Sequence, residues 1–241
     1  MELLANTGIL GVPQEWFNDV WIYNNDIDLG CRPPKVRGTL DVNDYIESIV
    51  LEGRGVSGIE LSVFQSLMLC EMMDRKFNSS ILSASFYLRR RDIISQAISL
   101  YRGVKTGVFH SYQKGSEQDY RDRIVSFDYE ALIGWIEFLI ESEERFEDLF
   151  ARCDLRPTPI FYEDLQENPL AIIRMIASKI GLPPPARLPN TTLAIMRDTI
   201  SQEWSGRLWR HMPSKLASAI RARLESFQVQ VESRILNRIN Q

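Results

Sequence analysis

The chain contains few cysteines, only Cys31, Cys70 and Cys153 among 241 residues. They are scattered and odd in number, and no pair has metal-ligand spacing. That argues for reduced thiols in a cytoplasmic compartment and gives no sign of a bound metal. The chain lacks a long hydrophobic run: the longest, near 131–140, is interrupted by Glu137 and is too short to span a membrane. No basic region followed by an apolar stretch opens the chain, so no signal peptide is visible. It lacks an excess of positive charge as well. The net charge is −4, so bulk basicity offers no argument for nucleic-acid binding, and any anion site must be local. No Gly-x-x-x-x-Gly-Lys-Ser/Thr loop exists, which disfavours a kinase-like nucleotide enzyme. Internal repeats and low-complexity tracts are absent.

What remains is an ordinary globular composition, 44% hydrophobic and 25% charged. The length suits one large domain over 1–241, or at most two small ones, and a chain of this size can bury a core without disulfides or metals. Residues 1–7 read as the tail of a helix stopped by Gly8. A loop rich in Pro, Asn and Asp follows over 9–34, interleaved with Trp16, Phe17, Trp21 and Tyr23. Residues 41–51 suggest a short helix, 55–61 a turn entering a short strand, and 62–73 a helix. A strand is expected at 81–88 and a helix at 92–105. Asp128 can cap a long amphipathic helix to about Arg152. Residues 158–162 read as a strand. Asn168-Pro169 opens another helix that Gly181 ends. From 214 to 239, Leu216, Ile220, Leu224, Phe227, Val231, Ile235 and Ile239 form one apolar helical stripe. Core packing explains that stripe; a homodimer contact is the sharper alternative. Strands alternating with helices define an α/β class with a mainly parallel sheet.

The segment Leu88-Arg89-Arg90-Arg91-Asp92 stands where a strand ends and a helix begins. A helix N-terminus carries partial positive charge, so cations there cost stability. The same place is an anion site, because backbone N–H groups point outward from it. A bound phosphate would offset the repulsion among the arginines. A solvated basic corner with Asp92 as N-cap is the plainer reading. Ligands of α/β sheets bind at the C-terminal ends of strands, which is where the run falls. Ser99 lies about two turns into the helix, on nearly the face of Arg91 and Asp92.

Arg90-Arg91-Asp92-Ile93-Ile94-Ser95-Gln96-Ala97-Ile98-Ser99, continued by Arg102 and Thr106, resembles a cofactor motif of the bacterial trehalose 2-sulfotransferase-like family. That family moves a sulfuryl group from 3′-phosphoadenosine-5′-phosphosulfate (PAPS) to a sugar hydroxyl. The resemblance implies that Arg90, Arg91 and Ser99 hold the 3′-phosphate, with Ser95 a weaker candidate. A one-residue alignment choice decides between Arg90 and Arg91. Ala5 to Phe17 resembles the segment in which a Glu followed by two aromatics is the proposed general base, which carries over to Glu15. Sulfuryl transfer needs such a base, since the acceptor hydroxyl must lose its proton as it attacks sulfur. His110 is a rival base. The aromatics from Trp16 to Tyr23 suit the face of a sugar.

Smaller similarities follow. Phe161-Tyr162-Glu163-Asp164-Leu165 resembles the strand-end segment of many sulfotransferases. Arg197 and Ser201-Gln202-Glu203-Trp204 resemble the family's C-terminal segment, where a basic residue closes over the cofactor; a packed tryptophan is the plainer reading there. Two departures stand out. Glu60 replaces a lysine that the family tends to carry. The Ser/Gly/Thr-rich loop for the 5′-phosphosulfate falls ahead of residue 1, so the expectation is an N-terminally truncated, single sulfotransferase-like domain. The implied fold is a three-layer, P-loop-like arrangement lacking the first strand and loop. The implied function is a PAPS-dependent carbohydrate sulfotransferase without a metal, acting on trehalose, a lipopolysaccharide sugar or a similar glycan. The alternative is a catalytically inactive binding or interaction protein of the same fold.

Overall fold

The computed structural model describes residues 2–17, 45–47, 49–50, 55–73, 82–109, 125–191 and 199–239, with 228–239 as backbone only. The elements are α1 (Glu2–Ala5), α2 (Val63–Met72), β1 (Phe86–Arg89), α3 (Ile93–Thr106), α4 (Tyr129–Arg152), β2 (Thr158–Phe161), α5 (Tyr162–Glu167), α6 (Pro169–Lys179), α7 (Thr199–His211) and α8 (Ser214–Ile239). The chain divides into two compact units. The first holds residues 1–89 and 142–191, and the second holds 90–141 and 192–241.

In the first unit β1 and β2 pair in parallel, from Phe86 opposite Thr158 to Arg89 opposite Phe161. Successive strand side chains face opposite ways. Phe86 accordingly packs with Ile160 of β2 and with Ile173 and Ile176 of α6. Tyr87 meets Phe146 and Phe150 of α4, with ring centroids 5.1 Å from each. Helices thus flank the small parallel sheet, as the α/β class requires, although among the described residues the sheet has two strands. The strand expected at 81–88 is shorter and shifted: 82–85 lie outside it, and it runs on to Arg89. Its partner explains this, because β2 offers four residues before the chain turns into α5. The strand expected within 55–61 is reduced to one bridge, Gln14 to Ile59. A second cluster of this unit gathers Trp16, Phe17, Tyr45, Ile49, Leu69 and Leu149. In it the buried thiols of Cys70 and Cys153 touch, Sγ to Sγ 3.1 Å. Cys31 lies outside the described residues.

The second unit buries Ile93, Ile94 and Ile98 of α3 with Leu132 and Ile136 of α4, Trp204 and Leu208 of α7, and Leu216 and Ile220 of α8. Trp204 is therefore a packing residue, edge-on to Phe127 at 5.6 Å. Phe227 is buried too, and Leu224 packs on the cluster, so this part of the α8 stripe is core. The helix starts obey their caps. The backbone N–H groups of Ser95, Ala131 and Ala171 donate to the side chains of Asp92, Asp128 and Asn168, at 2.9, 3.1 and 3.1 Å. No helix among the described residues is long and apolar enough to cross a membrane.

Candidate active site

The three arginines do different work. Arg89 ends β1, and its side chain is 8% exposed. It donates to Glu143 at 2.8 Å and Glu147 at 3.3 Å, one turn apart on α4, and stacks over Tyr87. That is a structural ion pair of the first unit. Arg90 and Arg91 begin the second unit, are half-buried, and lead into the Asp92 cap. The Asp92 carboxylate takes the Ser95 N–H at 2.9 Å and the Ser95 hydroxyl at 2.5 Å. Both the N–H and the hydroxyl of Ser95 thus serve the Asp92 cap. Ser99 is exposed on α3. Seven residues beyond Asp92, it stands about 10 Å further along the helix axis. Arg90 and Arg91 thus precede a capped helix start that carries the Ser99 hydroxyl two turns on, and arginine and serine side chains are donors of the kind that phosphates accept from.

A fourth arginine was not legible as part of this corner. Arg223, on α8, donates from Nη2 to the Arg90 carbonyl at 2.6 Å and from Nη1 to the Arg91 carbonyl at 3.0 Å. Its spacing of 132 residues or more gives no local signal. Arg102, which continues the motif, donates to the Ser201 hydroxyl of α7 at 3.1 Å. Thr106 turns inward and donates to the Arg102 carbonyl at 2.8 Å. Both are thus engaged within the unit.

Glu15 belongs to the first unit and is exposed. Its neighbours fix its backbone. The Gln14 N–H donates to the Gly58 carbonyl at 3.4 Å, and the Glu60 N–H donates to the Gln14 carbonyl at 2.9 Å. The Trp16 indole donates to the Gly58 carbonyl at 3.1 Å, and the Tyr45 hydroxyl to the Trp16 carbonyl at 2.5 Å. Trp16 and Phe17 are buried, so these two aromatics anchor the segment instead of facing a ligand. Two glycines let the segments around Gln14 and Ile59 approach closely. Gly11 has φ +66°, and a Cβ there would press into the Val56 carbonyl; a Cβ on Gly58 would lie 2.6 Å from the Pro13 side chain. The 14-to-59 register sets Glu15 abreast of Glu60, the position where a lysine was expected. Trp21, Tyr23, His110 and Arg197 lie outside the described residues. Among the described residues no group of three or more His, Cys, Asp or Glu side chains could hold a metal ion.

A small parallel sheet flanked by helices, with Arg90 and Arg91 between β1 and the capped start of α3, defines a protein of the α/β class. The family model described as Stf0 sulphotransferase matches residues 1–211, and the chain belongs to that family. It is 27% identical over 230 residues to the trehalose 2-sulfotransferase of Mycolicibacterium smegmatis, covering 87% of this chain and 82% of that one. It is 27% identical over 233 residues to the trehalose 2-sulfotransferase of Mycobacterium tuberculosis, covering 88% and 84%.

Proposed function

We propose that the protein transfers a sulfuryl group from PAPS to a carbohydrate hydroxyl, with trehalose the first acceptor to test. The observation that carries this reading is the corner at the head of α3. There Arg90 and Arg91 precede a helix whose first turn Asp92 caps, in a chain of the sulfotransferase family. The names of its two mycobacterial relatives support the acceptor.

In this reading Arg90 and Arg91 grip the 3′-phosphate by charge-assisted hydrogen bonds, each worth about 1.5–3 kcal/mol. The Ser99 hydroxyl donates to the same group. Glu15 accepts the proton of the acceptor hydroxyl as its oxygen bonds to sulfur, and the sulfur–oxygen bond to the phosphate breaks. When bound, PAPS supplies the sulfuryl group and leaves as 3′,5′-ADP. An exposed carboxylate on a backbone pinned from both sides is suited to that proton transfer, because it meets substrate without moving the chain.

The test is product formation from PAPS and trehalose, read by mass spectrometry, together with calorimetry of 3′,5′-ADP. Sulfated trehalose and 3′,5′-ADP are expected in equal amounts. Glu15→Gln should lower kcat by about 10²–10⁴ and leave 3′,5′-ADP affinity unchanged. Arg90→Ala with Arg91→Ala should abolish measurable binding. Binding of 3′,5′-ADP without turnover on any glycan would leave the inactive, binding-only alternative standing. No binding by the wild-type protein would overturn the phosphate assignment.

A further inference from the structure

We propose that Arg223 is a positioning residue for the anion site at the head of α3, a role that rests on the phosphate reading of Arg90 and Arg91. One guanidinium holds two consecutive carbonyls, those of Arg90 and Arg91, at 2.6 and 3.0 Å. The planar fork of arginine makes this bridge; the point charge of a lysine cannot span both acceptors equally well. The fork is itself held. Arg223 stacks over the Phe227 ring at 4.6 Å, and Phe227, Ile220 and Leu216 are buried, so α8 delivers the guanidinium from a rigid base.

The consequence follows from peptide geometry. A trans peptide is planar, with its C=O and the following N–H pointing in opposite directions. When both carbonyls turn toward Arg223, the N–H groups of Arg91 and Asp92 turn to the other side together. With the backbone so fixed, the side chains of Arg90 and Arg91 leave the turn in set directions. The Arg91 carbonyl also accepts the Ile93 N–H at 3.1 Å, which tightens the same turn. Arg223 thereby occupies two carbonyl ends that would repel a phosphate and adds a positive charge beside the turn. Without it, the Arg90 and Arg91 carbonyls lose their shared partner, and the two guanidinium groups lose part of what fixes their starting point. Arg223 lies beyond the residues that the family model matches, so this support comes from the C-terminal helix of this chain.

The test compares wild type with Arg223→Met, Arg223→Lys, Leu224→Ala and the double variant Arg90→Ala/Arg91→Ala. Calorimetry measures 3′,5′-ADP affinity, and steady-state kinetics separates KM for PAPS from kcat. Arg223→Met should weaken 3′,5′-ADP by about tenfold, the scale of one charge-assisted hydrogen bond. Its KM for PAPS should rise in step, with kcat within about twofold of wild type. Arg223→Lys should fall between the two. Leu224→Ala removes packing from the same helix, so it should lower the melting temperature and leave 3′,5′-ADP affinity intact. Wild-type affinity in Arg223→Met, alongside lost binding in Arg90→Ala/Arg91→Ala, would overturn the role of Arg223 and leave the phosphate reading in place. Equal loss of affinity in Leu224→Ala would reduce Arg223 to a stabilising residue and overturn the proposal. A wild-type protein that binds no 3′,5′-ADP would overturn both.

Discussion

The Arg102 guanidinium of α3 reaches the Ser201 hydroxyl of α7 across 3.1 Å, joining residues 99 positions apart. Both belong to segments that resemble cofactor motifs, and within the second unit they hold each other. The bond is partly buried, so its loss should be measurable. A double-mutant cycle of Arg102→Ala and Ser201→Ala, read by urea unfolding, should give a coupling of about 1 kcal/mol. Additive effects would show that the two side chains do not cooperate.

Arg89 should matter for stability and not for ligand binding. Its side chain is 8% exposed and is shared between Glu143 and Glu147. Removing one partner of a mostly buried ion pair leaves a charge uncompensated. Arg89→Ala should therefore cost about 3 kcal/mol in denaturant unfolding. Wild-type stability in this variant would contradict the division of labour among the three arginines.

Gly11 should tolerate no side chain. Its φ of +66° is a conformation that L-residues rarely adopt, and a Cβ would strike the Val56 carbonyl. Gly11→Ala should lose about 1–3 kcal/mol from the backbone conformation alone. On the proposed role of Glu15, displacing its segment should also depress turnover more than it depresses 3′,5′-ADP binding. Thermal unfolding and the two assays together check this.

Alkaline pH should destabilise the fold through Tyr45. Burial pushes its hydroxyl from 10.0 up to about 12. The unfolded chain then releases this proton first, so the contribution to stability is complete below pH 10 and is lost as pH rises toward 12. Tyr101 shifts the same way, by burial first and the Asp128 charge second. Tyr45→Phe should show a shallower decline in stability over that window than wild type, measured by denaturant unfolding at a series of pH values. An identical slope would sink the assignment.

Local chemistry made much of this fold legible. Asp92, Asp128 and Asn168 announce helix starts because a cap acts within three residues, and the structure uses all three. The 216–227 stripe reads as core because its period matches the helix. The sheet was harder, since the length of β1 is set by β2, about seventy residues away, and not by its own composition. The arginine run hid its own sorting. Arg89, Arg90 and Arg91 look equivalent in a row; only the strand end at Arg89 commits it to α4. Nothing around position 223 betrays that its guanidinium reaches back to Arg90. In the Glu15 segment the aromatics read as sugar-facing, yet Trp16 and Phe17 are buried. A carbonyl partner for an indole cannot be seen from spacing.

Helix α8 sets a practical boundary. The family match stops at residue 211, and a fragment cut there would look complete by alignment. It would nevertheless lose Leu216, Ile220 and Phe227, which are 8%, 2% and 2% exposed. The cluster that Leu216 and Ile220 share with Ile98, Leu132, Ile136 and Leu208 would then lose two members. Such a fragment should be recovered in aggregates, whereas a chain that keeps α8 through Phe227 retains the lining of that core.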